Sequence, residues 1–499
     1  MGIVARQGIK HSLLKFVGVA VGMLSFLLVY PLSHGTYGHI QFLVGTATLL
    51  VPFVGVGCAQ ALIKFFPEYS QYTDNTASFF TVGLLFQLCT LVLFLAVFFL
   101  IKDYIFDYLE SIGRPLTKIR EHQFKILALG TVLMLCMSAI NYISNFKRIV
   151  VPSLLYDLGY KLFLPGTVLL VAAGQVAKYD SAMLIIGFYL LVFLMLVIYM
   201  RRLSGDSLMP DFSFFNAERR AAILKYSVFS AVSSIGAVLA FRIDAIMITE
   251  MLGESMNGLY FNLFVIAMII DIPNKALMKI SAPIISEHWQ DNETSKIDEL
   301  YQKGSNNALI IGLLLFIGIA FNLLDLIQLS SKPEAFLQPL TIFICLGLAK
   351  LIDAATGINN QIIIYSNLYI YNFVFIVFLA VSNIVFNIML IDKYGVVGAA
   401  YATLVSLTLF NVAKYIFIAV KWKMSPFSGS TFVILLVGLL TAAIVYVIPH
   451  AGNPIISILM KSTMITVIYG GLIYKLKLSD EINQIVVKYS SKILGDGAL

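Results

Sequence analysis

The sequence predicts an all-α polytopic membrane protein with about fourteen transmembrane helices. Three observations predict it. Of 499 residues, 59% are hydrophobic and only 12% are charged, where an ordinary soluble domain carries about 25% charged residues. So few charges cannot clothe a soluble body of this size. Apolar runs of about the twenty residues needed to cross a bilayer recur along the chain. Lys and Arg crowd alternate connections between these runs, as expected where positive charge holds one side of the membrane in the cytoplasm.

The runs lie near 12–32, 38–60, 79–101, 122–143, 150–173, 181–200, 221–247, 257–279, 305–327, 336–352, 367–390, 395–420, 430–449 and 453–474. The first is too long for the core of a cleavable signal and lacks a small-residue cleavage motif. Basic residues such as Lys147, Arg148, Arg201, Arg202, Arg219, Arg220, Lys421, Lys423, Lys475 and Lys477 fall on the side of the N-terminus. Lys178, Lys332 and Lys393 are the sparse bases opposite. Both termini are therefore expected in the cytoplasm and the helix count is expected to be even. Segment 102–121 mixes Lys102, Arg114, Lys118 and Arg120 with Asp103, Asp107, Glu110 and Glu121, which predicts a solvated external cap.

Gly35-Thr-Tyr37 after the first run parallels Asn257-Gly-Leu-Tyr260 after the seventh. Six helices per repeat is an even number, so the two halves enter the membrane the same way round. The expected domains are an N-terminal six-helix bundle with its linker (1–210), a second six-helix bundle (211–425), helices thirteen and fourteen (426–475) and an amphipathic cytoplasmic tail (476–499). In the basic linker 201–220, Phe212, Phe214 and Phe215 suit a helix lying at the interface. In the tail, Ile482, Ile485, Val486, Tyr489 and Ile493 share one helical face and suit another.

Several functions are excluded by what the residues do not offer. The net charge of +7 comes from bases beside apolar runs rather than from one soluble face, so no nucleic acid is expected as a partner. Cys58, Cys89, Cys136 and Cys345 lie in apolar runs at no metal-ligand spacing. The six histidines are scattered, no phosphate-binding glycine loop is present, and neither cofactor nor enzymatic activity is expected. What remains informative is charge inside apolar runs, costing roughly 2.5–3.5 kcal/mol per group at mid-bilayer and hence a sign of function.

Lys161 lies near the middle of the fifth run with Asp157 one turn earlier, either as an intrahelical pair or with Lys161 facing a cavity. Arg242 and Asp244 interrupt the seventh run; residues two apart point away from each other on a helix, so Asp244 needs another partner. Asp271 and Lys275, four apart in the eighth run, flank Pro273, which is expected to break the helix and free carbonyls. Lys15, Lys64 and Lys414 lie near the cytoplasmic boundary and read first as positive-inside charges. Lys461 has no evident partner. Asn383 and Asn387 read as glue between helices.

The stretch Phe241–Tyr260 sets Asp244 within an apolar run, then Gly253, Gly258 and Tyr260 at its junction with the next. With Thr36-Tyr37-Gly38, Gly55-Val-Gly57 and Tyr394-Gly-Val-Val-Gly398, it resembles the polysaccharide-biosynthesis, lipid-linked oligosaccharide (O-antigen-type) flippases of the multidrug/oligosaccharidyl-lipid/polysaccharide exporter superfamily. That resemblance implies two six-helix bundles in a V shape plus two C-terminal helices, alternating access and a cationic central cavity. It carries Arg242 and Asp244 over as substrate-binding residues, with Lys15 and Lys64 as weaker matches. Lys161, Asp271 and Lys275 join them as ionisable groups within the membrane.

The implied substrate is a polyprenyl-(di)phosphate-linked oligosaccharide carried from the cytoplasmic to the outer leaflet of a bacterial inner membrane. Membrane lipids, a polysaccharide polymerase and glycosyltransferases are the implied partners. A cation-coupled multidrug antiporter of the same superfamily is the main rival. Its acids would be expected in the first bundle, where Asp157 is the clear one. An inverted-repeat permease is a second rival, and would need an odd number of helices per repeat.

Overall fold

The computed structural model describes residues 3–73, 75–204, 209–448, 452–481 and 483–484. It is 85% helical, with no strand among the described residues. Contacts divide it into two compact units, Met1–Leu259 and Tyr260–Leu499.

The first unit contains α1 (Ile3–Leu28), α2 (His34–Gly55), α3 (Cys58–Lys64), α4 (Phe66–Tyr72), α5 (Ala77–Ser111), α6 (Thr117–Ser144), α7 (Val150–Ser153), α8 (Gly159–Ala172), α9 (Ser181–Ser204) and α10 (Ala217–Leu252). α11 (Glu254–Ala267) begins in the first unit and ends in the second. The second continues with α12 (Ile272–Gln290), α13 (Thr294–Gln328), α14 (Pro339–Ala355), α15 (Asn359–Tyr365), α16 (Ile370–Trp422), α17 (Gly429–Tyr446) and α18 (Pro454–Lys475). Every expected apolar run is helical over most of its length, with α16 supplying two of them across a kink at Gly395. Among the described residues nine helices are long and apolar enough to cross a membrane, and α14 with α15 makes a further span bent by 50°. Large apolar side chains such as Leu100, Val92, Leu436 and Leu439 face outward, as lipid contact allows and water would not favour.

The glycines of the sequence motifs have mechanical roles. Gly57 adopts φ 68°, and a Cβ there would lie 2.1 Å from the Ser227 carbonyl of α10. Only glycine lets the α2–α3 break seat against that backbone. Gly38 and Gly258 do the same for α2 and the start of α11: a Cβ on Gly38 would lie 1.7 Å from the Glu254 carbonyl oxygen, and one on Gly258 2.1 Å from that of His34. The Asn257 amide donates to the Gly38 carbonyl at 3.0 Å and ties the crossing. Gly258 of the second repeat copy thus lies against the chain flanking the first, at His34 and Gly38.

Two expectations are corrected. Segment 102–121 is not a loop: α5 runs on to Ser111, and α6 starts at Thr117. Its charged residues are adequate helix formers, and the chain turns only at Gly113-Arg-Pro115, where Gly113 has positive φ. The linker forms no helix over 209–216. Phe214 is instead buried in the first unit against Tyr69 and Tyr72, with ring centroids at 5.0 and 5.4 Å. The expected boundary at 210/211 follows the repeat, whereas contacts group α10 with the first unit, because α10 packs along α2 and α3. The amphipathic face expected in the tail lies outside the described residues.

Candidate functional site

In the first unit, the chain from α7 enters a single π-helical turn, Leu154–Leu158, before α8. Such a turn inserts one residue and re-aims side chains, often where function needs it. Here it presents Asp157 to α1: Lys15 Nζ donates to Asp157 Oδ2 at 2.7 Å, and Ser153 Oγ donates to the same oxygen at 2.8 Å. The intrahelical pairing of Lys161 with Asp157 is therefore not formed. Lys161 Nζ donates at 3.2 Å to the Gly18 carbonyl, in space that a side chain at 18 would crowd. Lys15 thus takes the Asp157 carboxylate, and Lys161 is held by a backbone carbonyl alone.

Arg242, on α10, lies against α2 at Gly45. Asp244 is buried. Lys64, exposed at the end of α3, sits 4.0 Å from the ring centroid of Tyr226, a cation–π contact. Two cavities open inside this unit. One of about 270 Å³ follows the Pro52–Gly57 break and reaches Gln87 and Asn141. The other, about 300 Å³, is bordered by Arg148, Ser153 and Asp157. They share Met137 and Tyr156 in their linings. Each has room for a phosphate or a single sugar ring, at the lower end of ligand-site volumes.

The second unit gathers charge differently. Asp271 precedes α12, with Pro273 in that helix's first turn, so the expected break falls between Ala267 and Ile272. Lys275 Nζ reaches Asp271 Oδ2 at 2.9 Å, while Asp271 Oδ1 is buried with no hydrogen-bond partner. Asp353 of α14 is half-buried. The Asn411 amide donates to Asp353 at 3.1 Å, and Thr356 and Asn359 donate to the Asn411 oxygen at 3.1 and 3.2 Å. Lys414 is no boundary charge; it is buried, 4.0 Å from the Phe410 ring centroid. Lys461 has a partner after all, Asp325 of α13 at 2.7 Å.

The structure thus places Lys15, Lys64, Lys161, Arg242 and Asp244 in the first unit and Asp271 with Lys275 in the second. Asp353, Lys350 and Asn411 were not singled out from the sequence. Asp325 was missed too, although an acid inside the ninth apolar run satisfies the same criterion that selected Lys161. Asn383 and Asn387 bond to one another along α16.

A many-span helical membrane protein with ionisable groups inside its helical units has the makings of a solute or lipid carrier. The fold is shared with a lipid II flippase, MurJ, at a TM-score of 0.68 and 13% identity over 94% of this chain and 99% of that one. It is shared also with an inward-facing multidrug-resistance MATE-family transporter, at 0.59 and 12% over 82% and 98%. The chain belongs to the polysaccharide biosynthesis protein family, whose model matches residues 6–289. Two relatives from Haloferax volcanii are each 24% identical. The probable low-salt glycan biosynthesis flippase Agl15 aligns over 44% of this chain and 46% of its own length. The probable flippase AglR aligns over 40% and 43%. The chain therefore spans less than half the length of these curated relatives.

Proposed function

We propose that this protein is a flippase that carries a polyprenyl-(di)phosphate-linked oligosaccharide from the cytoplasmic to the outer leaflet, by alternating access through a cationic cavity. The observation that carries this reading is that Lys161 bonds a backbone carbonyl, that of Gly18, while Asp157 is taken by Lys15. Two ammonium groups against one carboxylate leave net positive charge on these helices, which suits a diphosphate. Lys161, Lys15 and Arg242 hold the phosphates; Asp244, Lys64, Asp271 and Lys275 adjust the charge around them. The name of one Haloferax relative, a probable glycan biosynthesis flippase, supports a glycan-bearing substrate. A membrane potential negative inside favours outward movement of an anion by about 2.3 kcal/mol per charge per 100 mV. Those relatives are archaeal, so they lend no weight to O-antigen or to a bacterial inner membrane, while a plasma membrane with cytoplasmic termini rests on the placement of Lys and Arg. Glycosyltransferases and a polymerase are partners by the same logic of substrate supply and use.

The test is export of the glycan in cells lacking the native protein. Lys161→Ala and Arg242→Ala should abolish it at normal membrane abundance, and Lys161→Arg should retain part. Full export by both Ala variants would remove these residues from the mechanism. Ethidium efflux driven by an ion gradient in vesicles would instead support the antiporter.

A further inference from the structure

One end of the first unit holds a cluster that translocation, as proposed, does not use. His39 of α2, His122 of α6 and Glu254, the first residue of α11, are 0%, 3% and 5% exposed. One ligating atom from each lies within 4.8 Å of the others. His39 Nδ1 is 2.8 Å from Glu254 Oε1, and His122 Nε2 is 3.8 Å from the same oxygen. The imidazoles meet edge to face with centroids 4.8 Å apart, and Tyr179 closes the far side at 5.2 and 5.4 Å. His39 Nε2 and His122 Nε2 are both buried without a hydrogen-bond partner. His122 Nε2 is the one of these aimed at Glu254, and an orphaned buried nitrogen there calls for an occupant. Two further groups face the cluster. Glu121 brings Oε1 to 3.6 Å from His122 Nε2 from a partly exposed position while Lys118 holds its other oxygen. Lys178 bonds the second oxygen of Glu254.

We propose that His39, His122 and Glu254 form a binding site for a divalent transition metal, with zinc as the best fit. Two imidazoles and a carboxylate are a zinc donor set, whereas calcium and magnesium favour oxygen alone. Zinc held tetrahedrally at about 2.0–2.2 Å sets its ligand atoms about 3.3 Å apart. The observed 2.8 and 3.8 Å bracket that separation, so modest side-chain rotation completes the site. Glu121 or a water takes the fourth position. The Lys178 side chain is one-third exposed and can swing its ammonium into solvent as the metal arrives. The metal would bind α2, α6 and the α10–α11 junction together, beside the Gly38–Gly258 crossing. By the distribution of Lys and Arg this end faces outward, where the ion is drawn from the exterior.

The experiment uses the full-length protein in detergent, with any affinity tag removed, stripped with EDTA and titrated with zinc chloride. Bound metal and melting temperature are both read. One equivalent per chain and a raised melting temperature are expected. Affinity should fall at least about tenfold in His122→Gln and in His39→Asn, and uptake should fade as protons compete on acidification. His288→Ala, which alters the His288–Glu293 pair of the second unit, should leave uptake unchanged. Cobalt should give a visible absorption band in the wild type that His122→Gln loses. Absence of stoichiometric zinc on the wild type overturns the proposal even if variants fold poorly. So does equal uptake by the His39→Asn/His122→Gln double variant, or loss of uptake in His288→Ala. Metal content is measured without reference to export, so this result and the flippase test fail separately.

Discussion

At the scale of single residues, the firmest constraints are places where a side chain has no room. Gly38 is the sharpest, because the nearest obstacle is the backbone carbonyl of Glu254 rather than a yielding side-chain tip. Gly38→Ala must push α2 and the start of α11 apart and break the Asn257 bond, a cost of about 1–3 kcal/mol or more for overpacking. Gly166→Ala and Gly187→Ala meet nothing within 4 Å and lie in helices, where removing glycine is neutral or mildly stabilising. Thermal unfolding in detergent should therefore show a large fall for Gly38→Ala and none for the two controls. Equal melting of all three would mean that the crossing does not exist as described. Gly35-Thr-Tyr37 and Asn257-Gly-Leu-Tyr260 were visible as a repeat in the sequence; that Gly258 packs on His34 and Gly38, beside the first copy, was not, because a repeat carries no distance.

At the scale of elements, apolar length and caps made the helices readable, and partners made them misreadable. Asn453 before Pro454 accepts the Ile455 and Ile456 amides and starts α18 where the hydropathy places it. What hydropathy cannot give is which helix receives Lys461. Its carboxylate, Asp325, lies 136 residues earlier on α13 and is also bonded by Ser457. The same holds for His39 and Glu254, 215 residues apart, which look scattered in one dimension. Both members of the Lys461–Asp325 pair are about 3–5% exposed. Losing one partner of such a pair costs about 3–5 kcal/mol because the other is stranded, whereas replacing both by apolar groups is often neutral. Lys461→Met should accordingly lower the melting temperature sharply, and adding Asp325→Leu should restore much of the loss. A double variant less stable than the single would show the pair to be wanted for more than its own neutralisation.

At the scale of the whole molecule, the helical architecture was legible because a bilayer imposes one length on every span. The candidate site was legible only as a list of charges, since burial, pairing and the π-helical turn at 154–158 are products of packing. Orientation belongs to this scale, and outward movement of an anionic head depends on it. In a background with the four native cysteines replaced, Ser111→Cys and Gln175→Cys should react with a membrane-impermeant maleimide in intact cells. Ser213→Cys and Asp480→Cys should react only after permeabilisation. All four positions are exposed, and they sample both contact units. The reverse pattern would turn the basic connections outward against the positive-inside bias, and would place the His39–His122–Glu254 cluster in the cytoplasm. The fold and the family would survive that result; the direction of transport and the external source of metal would both have to be abandoned.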